Sequence, residues 1–255
     1  NSATGSGYTL KSQLKTIIDN INDNNGQSFH DINVTYSQLW NLFENSDVRD
    51  DGKVWDVYSN CDFVFGTVED GGDQDNGSGG NSECDKFNRE HTFPQSWYDD
   101  SSHPMKADAF HVLPSDKKVN DIRGNLAFSE VDVPNYTSQN GSKRGTSSIV
   151  GPTSNVFEPI DEFKGDIARG FFYVATRYED EIGTWENNDS NGDSMLDGSG
   201  DKVFETWAIQ MLYNWHINDP VSQKEIDRNN VIFNHQNNRN PFIDHPEYVQ
   251  NIWGS

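Results

Sequence analysis

The segment from Phe87 to Asn125 concentrates side chains that can move protons and bind a cation. Glu90 and His91 are adjacent in it, and Asn120 and Arg123 follow near its end. Hydrolysis of a phosphodiester bond needs a base for water, positive charge at the phosphate oxygens and a group that holds the phosphate. Histidine is a suitable base near neutral pH, and Mg²⁺ can be held by one carboxylate and one amide because it keeps several waters. The segment therefore predicts a metal-dependent site for phosphodiester cleavage.

Two short strands and a helix must position these side chains. The first strand carries Glu90 and His91, which can both reach one site only at a strand end or bend. Apolar spacing predicts a second strand over residues 107–113, stopped by Pro114. Ser115 is then expected to cap a helix that brings Asn120 opposite the acid and the base.

Helical spacing of apolar residues recurs on both sides of this segment, and no alternation of strand and helix repeats. This pattern favours an α+β fold, largely helical, formed by one domain over residues 1–255 with a ββα core at about 86–125. Residues 69–85 are rich in Gly and Asp and predict an exposed loop. Residues 126–158 are rich in Ser, Asn, Gly and Pro and are expected to run across the surface without regular structure, where they could form a wall of a cleft. The predicted helices cover 8–23, 36–43, 161–180, 201–217 and a stretch from 220 past 232, and short strands are predicted at 54–58 and 63–68.

Several motifs occur in an order that resembles the bacterial endonuclease I family, including its extracellular ribonuclease-like members. They are NREHTFPQSW, followed by D-x-x-H-x-L-P-x-D-x-x-V-N-x-x-R-x-N, with VWDVYSN upstream and ARGFFYVATRYE, MLYNWHINDPV and RNPFIDHPEYVQNIW downstream. The resemblance implies a ββα-metal (His-Me finger) nuclease site in a mixed fold. It also implies cleavage of DNA without sequence specificity, often of RNA as well, to products with 5′-phosphates.

The resemblance also implies roles for individual residues. His91 is expected to be the general base that activates water. Glu90 and Asn120 are expected to bind Mg²⁺, for which Mn²⁺ or Ca²⁺ could substitute. Asp108 and His111 are expected to lie behind the groups that touch the metal or substrate, since Phe110 stands where many relatives have a histidine.

The residue that contacts the scissile phosphate is less clearly marked. Some members of the family place an arginine between the two strands, but between His91 and His111 this chain has only Lys106. Arg123 is the favoured replacement, and Arg89 and Lys106 are the alternatives.

The formal net charge of −22 opposes binding of nucleic acid by the chain as a whole. Net charge does not determine the field inside a cleft, however. The basic residues are concentrated in the middle of the chain, which predicts a basic cleft on an otherwise acidic protein. The expected substrate is DNA, with RNA as a second candidate, and the protein is expected to be a monomer. They are Lys86, Arg89, Lys106, Lys117, Lys118, Arg123, Lys143 and Arg144.

The two cysteines predict an oxidising compartment. Cys61 and Cys84 both lie in polar sequence, so a disulfide is favoured over free thiols. The cysteine pair and the polar composition favour a secreted, or periplasmic, protein. No apolar run is long enough to cross a membrane, and any signal peptide is expected to be already removed.

Two other functions remain open. Asp189, Asn191, Asp193 and Asp197 occupy positions 1, 3, 5 and 9 of a calcium-loop pattern whose positions 6 and 12 do not match. With the acidic loop at 69–85, they could build a secreted calcium-dependent binding module without catalysis, or a structural Ca²⁺ site in a nuclease. A zinc hydrolase built on His91, His103 and His111 lacks an H-E-x-x-H helix.

Overall fold

The helices surround two small antiparallel sheets. The computed structural model describes residues 3–19, 30, 33–98, 104–149 and 155–254. The predicted C-terminal end of the first helix, with Ile21 and Asp23, lies outside these residues. His103 lies outside them as well. The elements are α1 (Gly7–Asp19), α2 (Leu39–Ser46), β1 (Phe87–His91), β2 (Val112–Asp116), α3 (Lys117–Arg123), β3 (Val133–Thr137), β4 (Lys143–Thr146), β5 (Asn155–Glu158), α4 (Asp161–Arg177), α5 (Glu179–Ile182), α6 (Ser190–Asp193), α7 (Thr206–Asn218), α8 (Gln223–Gln236), α9 (Pro241–Asp244) and α10 (Glu247–Trp253).

Helix α4 is the centre of the hydrophobic core. Its residues Phe171 and Phe172 are fully buried, and α1, α7 and α9 pack around the helix. The Phe93 and Phe128 rings lie 5.5 and 5.8 Å from the Phe171 ring. Because burial of a phenylalanine contributes roughly 1.5–3 kcal/mol, these contacts fix the loop after β1 and the stretch after α3 to the helical core. The predicted α+β fold class is confirmed.

The predicted strand, strand and helix are present, but the second strand begins later than expected. Strand β2 starts at Val112, pairs antiparallel with β1 and runs through Pro114, which lies opposite Arg89. In a two-stranded sheet each strand has a free edge, so proline is tolerated there. The helix cap is likewise shifted from Ser115, which is buried, to Asp116, whose Oδ1 accepts a hydrogen bond from the Val119 N–H at 3.0 Å.

Residues 126–158 were wrongly expected to be irregular throughout. Strands β3, β4 and β5 form an antiparallel sheet in that order. Strand β3 is mostly exposed and polar, so it lacks the alternation of apolar and polar residues by which strands are recognised. The converse error occurs upstream, where Val54 forms only an isolated bridge with Val48 instead of opening a strand.

The predicted disulfide joins Cys61 to Cys84 across 23 residues of sequence. The bond closes the loop that precedes β1. A hydrogen bond from the Cys84 N–H to Asp116 then connects this loop to the residue that caps α3. In the described part of the chain, no helix is both long and apolar enough to span a bilayer.

We expect the double variant Cys61→Ser/Cys84→Ser to lose about 3 kcal/mol of unfolding free energy, because the unfolded chain regains the entropy of the closed loop. Urea unfolding with and without a reducing agent measures this. The reducing agent should destabilise the parent protein to the level of the double variant and leave the variant unchanged. Equal stability of all samples would contradict a stabilising disulfide.

Candidate active site

The ββα segment brings Glu90, Asn120 and Arg123 to one side of strand β1. Asn120 donates from Nδ2 to Oδ1 of Asn88 at 2.7 Å, and Arg123 Nη1 lies 2.9 Å from Oε1 of Glu90. Asn88 and Glu90 share a face of the strand, as do Asn120 and Arg123, three residues apart, on the helix. The predicted juxtaposition of Asn120 with Glu90 therefore follows from the packing of α3 on the hairpin.

Glu90 is held in place by neighbours that engage only one of its oxygens. Its side chain is 2% exposed, and Oε1 accepts a hydrogen bond from Tyr58 Oη at 2.7 Å and forms an ion pair with Arg123. Burial raises the pKa of Glu90 to about 7, although the Arg123 charge and the Tyr58 hydroxyl oppose this rise. A carboxylate that is desolvated to this extent gains from a further cation in contact with it.

The oxygens left at this point fit a hard divalent cation. Within the described residues, both contacts of Glu90 are made by Oε1, which leaves Oε2 available. The Asn120 amide uses its nitrogen to bind Asn88, which leaves Oδ1 as the acceptor. One carboxylate oxygen and one amide oxygen are the donor types that Mg²⁺, Mn²⁺ and Ca²⁺ take from proteins.

His91 is a neutral imidazole with a defined tautomer. Its Nε2 lies 3.0 Å from the carbonyl oxygen of Lys106. A carbonyl only accepts, so Nε2 carries the proton and Nδ1 has the lone pair. Burial, with smaller contributions from His111, Arg89 and Lys106, lowers the pKa of His91 to about 3. His91 can therefore accept a proton through Nδ1, where Gln95 Nε2 now donates at 3.1 Å.

Two cations lie on the His91 side of the strand. The Arg89 guanidinium is stacked 3.5 Å from the Tyr36 ring centroid and 4.3 Å from that of Trp40, and Arg89 Nη1 donates to the Tyr36 carbonyl oxygen at 2.7 Å. Lys106 lies next to the same Tyr36 ring. The Tyr36 ring is itself 5.4 Å from that of His91. Both predicted phosphate-binding alternatives are thus beside the base.

Arg123 does not fit the predicted contact with the scissile phosphate. It is 1% exposed and stacks 4.5 Å from the Phe128 ring centroid. Its Nη1 donates to the His91 carbonyl oxygen at 2.9 Å, and its Nη2 to that of Thr92 at 2.6 Å. These bonds fix the end of β1, so Arg123 positions Glu90 and His91 rather than meeting substrate.

Asp108 and His111 lie behind the site, fully buried. The His111 ring is 5.5 Å from that of His91, and its Nε2 is 2.7 Å from the Met105 carbonyl oxygen. Asp108 accepts hydrogen bonds from Tyr173 and Tyr178 at 2.9 and 2.8 Å. These contacts link the His91 surroundings to helix α4.

Most of the cations without a carboxylate partner belong to the middle of the chain, and Arg89 and Lys106 among them lie beside His91. Within the described residues, most lysines and arginines form ion pairs, such as Arg169 with Glu225, Arg228 with Asp47 and Lys143 with Glu158. In a chain with 41 acidic residues, lysines and arginines without a carboxylate partner are candidates for binding an anion from outside the protein. Those that form no pair with a described carboxylate are Lys53, Lys86, Arg89, Lys106, Lys118 and Arg144, and all except Lys53 lie between residues 86 and 144.

Among the predicted calcium residues, Asp189, Asn191 and Asp197 have side-chain partners in the protein, and Asp189 accepts a hydrogen bond from the Asn191 N–H at 2.8 Å. Asp189 caps α6 and accepts from Asn125 Nδ2 at 2.6 Å, Asp193 is exposed, and Asp197 pairs with Lys202. Among described residues, Cys61, Cys84 and Asp116 are the one group of three potential ligands that lie close together, and the two cysteines form the disulfide. The calcium hypothesis thus gains no support from geometry. For the zinc alternative, His91 and His111 each lie with Nε2 within hydrogen-bond distance of a backbone carbonyl oxygen, and the third histidine, His103, lies outside the described residues.

Sequence reasoning missed four residues of the site. Tyr58 and Gln95 contact Glu90 and His91, Asn88 orients Asn120, and Tyr36 stacks on Arg89. Three of them lie inside motifs quoted above, namely Tyr58 in VWDVYSN and Asn88 and Gln95 in NREHTFPQSW. Tyr36 has no such signal because its contact with β1 depends on the tertiary fold.

Comparison with known proteins places these residues in a family context. The sequence profile of a family described as Endonuclease I matches residues 6–247. A protein named extracellular ribonuclease from Bacillus subtilis (strain 168) is 34% identical over 257 residues, covering 97% of this chain and 75% of its own. A protein of the same name from Bacillus amyloliquefaciens is 33% identical over 253 residues, with the same coverage.

Proposed function

Since the chain belongs to the endonuclease I family, we propose that it is a secreted, Mg²⁺-dependent endonuclease that hydrolyses DNA and RNA to products with 5′-phosphates. The observation that supports this best is that a candidate cation site and a candidate base lie next to each other at the end of strand β1. Glu90 and Asn120 offer two oxygens to a cation, and the adjacent His91 offers an imidazole lone pair.

The chemistry of these side chains supports water as the nucleophile. His91 Nδ1 takes a proton from water, and the imidazolium so formed is stabilised because its Nε2–H already donates to the Lys106 carbonyl. The negative charge of a bound phosphate favours this proton transfer, since it raises the pKa of His91. Gln95 must release Nδ1 when water enters. A divalent cation at Glu90 and Asn120 neutralises charge on the phosphate and the leaving oxygen when it is bound.

The same features support the proposed substrate class and location. A mechanism that uses water needs no 2′-hydroxyl, so it cleaves DNA as well as RNA. Arg89 and Lys106 hold phosphates that flank the scissile bond. The disulfide fits an oxidising compartment, and both relatives are named extracellular ribonucleases.

The test is cleavage of supercoiled plasmid DNA and of a long RNA with Mg²⁺, with EDTA and with Ca²⁺ alone. We expect both substrates to be cut in the presence of Mg²⁺ and neither in EDTA, with phosphate retained at the 5′ ends. Folded protein that cuts neither substrate over a range of salt and divalent ions would overturn the proposal. A folded, inactive protein that binds ligands only with Ca²⁺ would favour the binding module.

Tyr58→Phe tests whether the Glu90 environment tunes the cation site. Without the Tyr58 hydroxyl, Glu90 loses one of the groups that orient it, and such outer contacts typically alter metal affinity by about 10- to 100-fold. We expect the Mg²⁺ concentration for half-maximal cleavage to rise by about tenfold, with little change in the rate at saturating Mg²⁺. Tyr248→Phe, far along the chain in α10, is the control. An unchanged Mg²⁺ dependence in Tyr58→Phe would contradict this role.

A further inference from the structure

Arg144 lies on the face of the three-stranded sheet β3–β5 that is turned toward the candidate active site. In the sheet register, Arg144 of β4 lies opposite Phe157 of β5 and opposite Tyr136 of β3. Residues directly opposite one another in neighbouring strands project from the same face of a sheet. The Phe157 ring is fully buried and lies 4.8 Å from the ring of Tyr58, which bonds Glu90. The face that carries Arg144 is therefore the one turned toward Glu90.

Arg144 has no anion to balance it among the described residues. It forms no ion pair there, and its Nε is buried without a hydrogen bond. The neighbouring Lys143, which the sequence placed among the basic residues of the predicted cleft, instead projects from the other face and pairs with Glu158 at 3.4 Å. Glu83, the acid on the Arg144 side, already accepts bonds from Tyr136 and from the Gln139 N–H at 3.1 and 2.6 Å. A buried Nε–H without an acceptor costs free energy, and an anionic ligand that bonds it would recover that cost.

We propose that Arg144 binds a phosphate of the nucleic-acid backbone beside Glu90 and Asn120, so that the sheet β3–β5 forms one wall of the substrate cleft. This inference rests on the proposed nuclease function. Arg89 and Lys106 lie on the His91 side of β1, and Arg144 lies on the Glu90 side. Phosphates of the substrate backbone would therefore be bound on both sides of the end of β1. Between His91 and His111 the chain has no arginine, and Arg144 supplies the planar, two-pronged donor that phosphate oxygens favour.

Kinetics of three variants test the inference. We expect Arg144→Ala to lower kcat/KM on plasmid DNA and on RNA by about 10- to 100-fold, as for loss of a hydrogen bond to a charged group. Arg144→Lys should recover part of this loss, because it restores the charge but not the fork. Lys143→Ala is the matched control, adjacent in sequence and on the opposite face, and it should stay within about twofold of the parent.

Binding measured in a His91→Ala background separates this contact from general charge effects. Affinity for a fluorescent 20-base-pair duplex is measured at several salt concentrations. Loss of one phosphate contact should reduce the slope of log K against log salt by about 0.9. Arg144→Ala should show this change, and Lys143→Ala should show a smaller one.

The outcomes distinguish this inference from the proposed function. Cleavage by the parent protein, with equal kcat/KM and salt slopes for Arg144→Ala and Lys143→Ala, would overturn the role of Arg144 alone. No cleavage by the parent protein would overturn the proposed function itself. Circular dichroism checks folding, and if Arg144→Ala is unfolded, Arg144→Gln, which keeps most of the side chain, is subject to the same two criteria.

Discussion

We expect His91→Ala to lower the rate of phosphodiester cleavage by about 10²- to 10⁴-fold, the usual contribution of a general base. The variant removes the Nδ1 lone pair that the Lys106 carbonyl fixes in place. Because His91 lies at the end of β1 and its ring bonds only backbone and the Gln95 side chain, the fold should persist. The measurement is single-turnover cleavage of plasmid DNA at saturating Mg²⁺, with thermal unfolding recorded for each protein.

His245→Ala is the matched control for this experiment. His245 is an exposed histidine that pairs with Glu247 at the surface, so its loss should leave cleavage unchanged. If His91→Ala retained more than a tenth of the parent rate in a folded protein, His91 would not be the base. A rate lowered equally in both variants would indicate a general effect of histidine loss.

The largest effect on stability is expected for Asp108→Ala, at about 3–5 kcal/mol. Asp108 is fully buried and accepts hydrogen bonds from Tyr173, Tyr178, Gln236 and the Phe110 N–H, so its removal takes an acceptor from four buried donors. Whole domains are stable by only about 5–15 kcal/mol, so the variant should be close to unfolded at 37 °C. Urea unfolding at 15 °C measures the loss.

Asp180→Ala is the control, since this acid pairs with Lys15 while remaining 73% exposed. Such surface pairs contribute about 0–1 kcal/mol. The milder Asp108→Asn allows activity to be measured per folded molecule, which should fall much less than in His91→Ala. A stable Asp108→Ala protein would show that the hydrogen-bond network around it is not a source of stability.

Local sequence predicted the ββα core because its signals are local. An acid next to a histidine, prolines that end elements and an asparagine on a short helix lie within 39 residues, and their order matched a specific family pattern. The boundary error at β2 arose because Pro114 was assumed to end a strand, whereas a two-stranded sheet tolerates it.

Tertiary contacts determined what the sequence could not predict. Arg123 is basic and near the site, which favoured a phosphate contact, but its burial depends on Phe128 and on the carbonyl groups that follow β1. Some residues of the downstream motifs form buried contacts between helices. Arg169 of ARGFFYVATRYE, for example, forms a buried two-pronged ion pair with Glu225 in α8. Partners that lie 56 residues apart leave no periodic signal in either segment.

The central claim is that Glu90 and Asn120 hold a divalent cation while His91 acts as base without binding it. Calorimetric titration of the folded protein with Mn²⁺ tests it most directly, using the parent, Glu90→Gln and His91→Ala. The claim predicts one binding site in the parent, retained in His91→Ala and weakened at least tenfold in Glu90→Gln. Absence of binding in the parent, or a loss in His91→Ala as large as in Glu90→Gln, would contradict it.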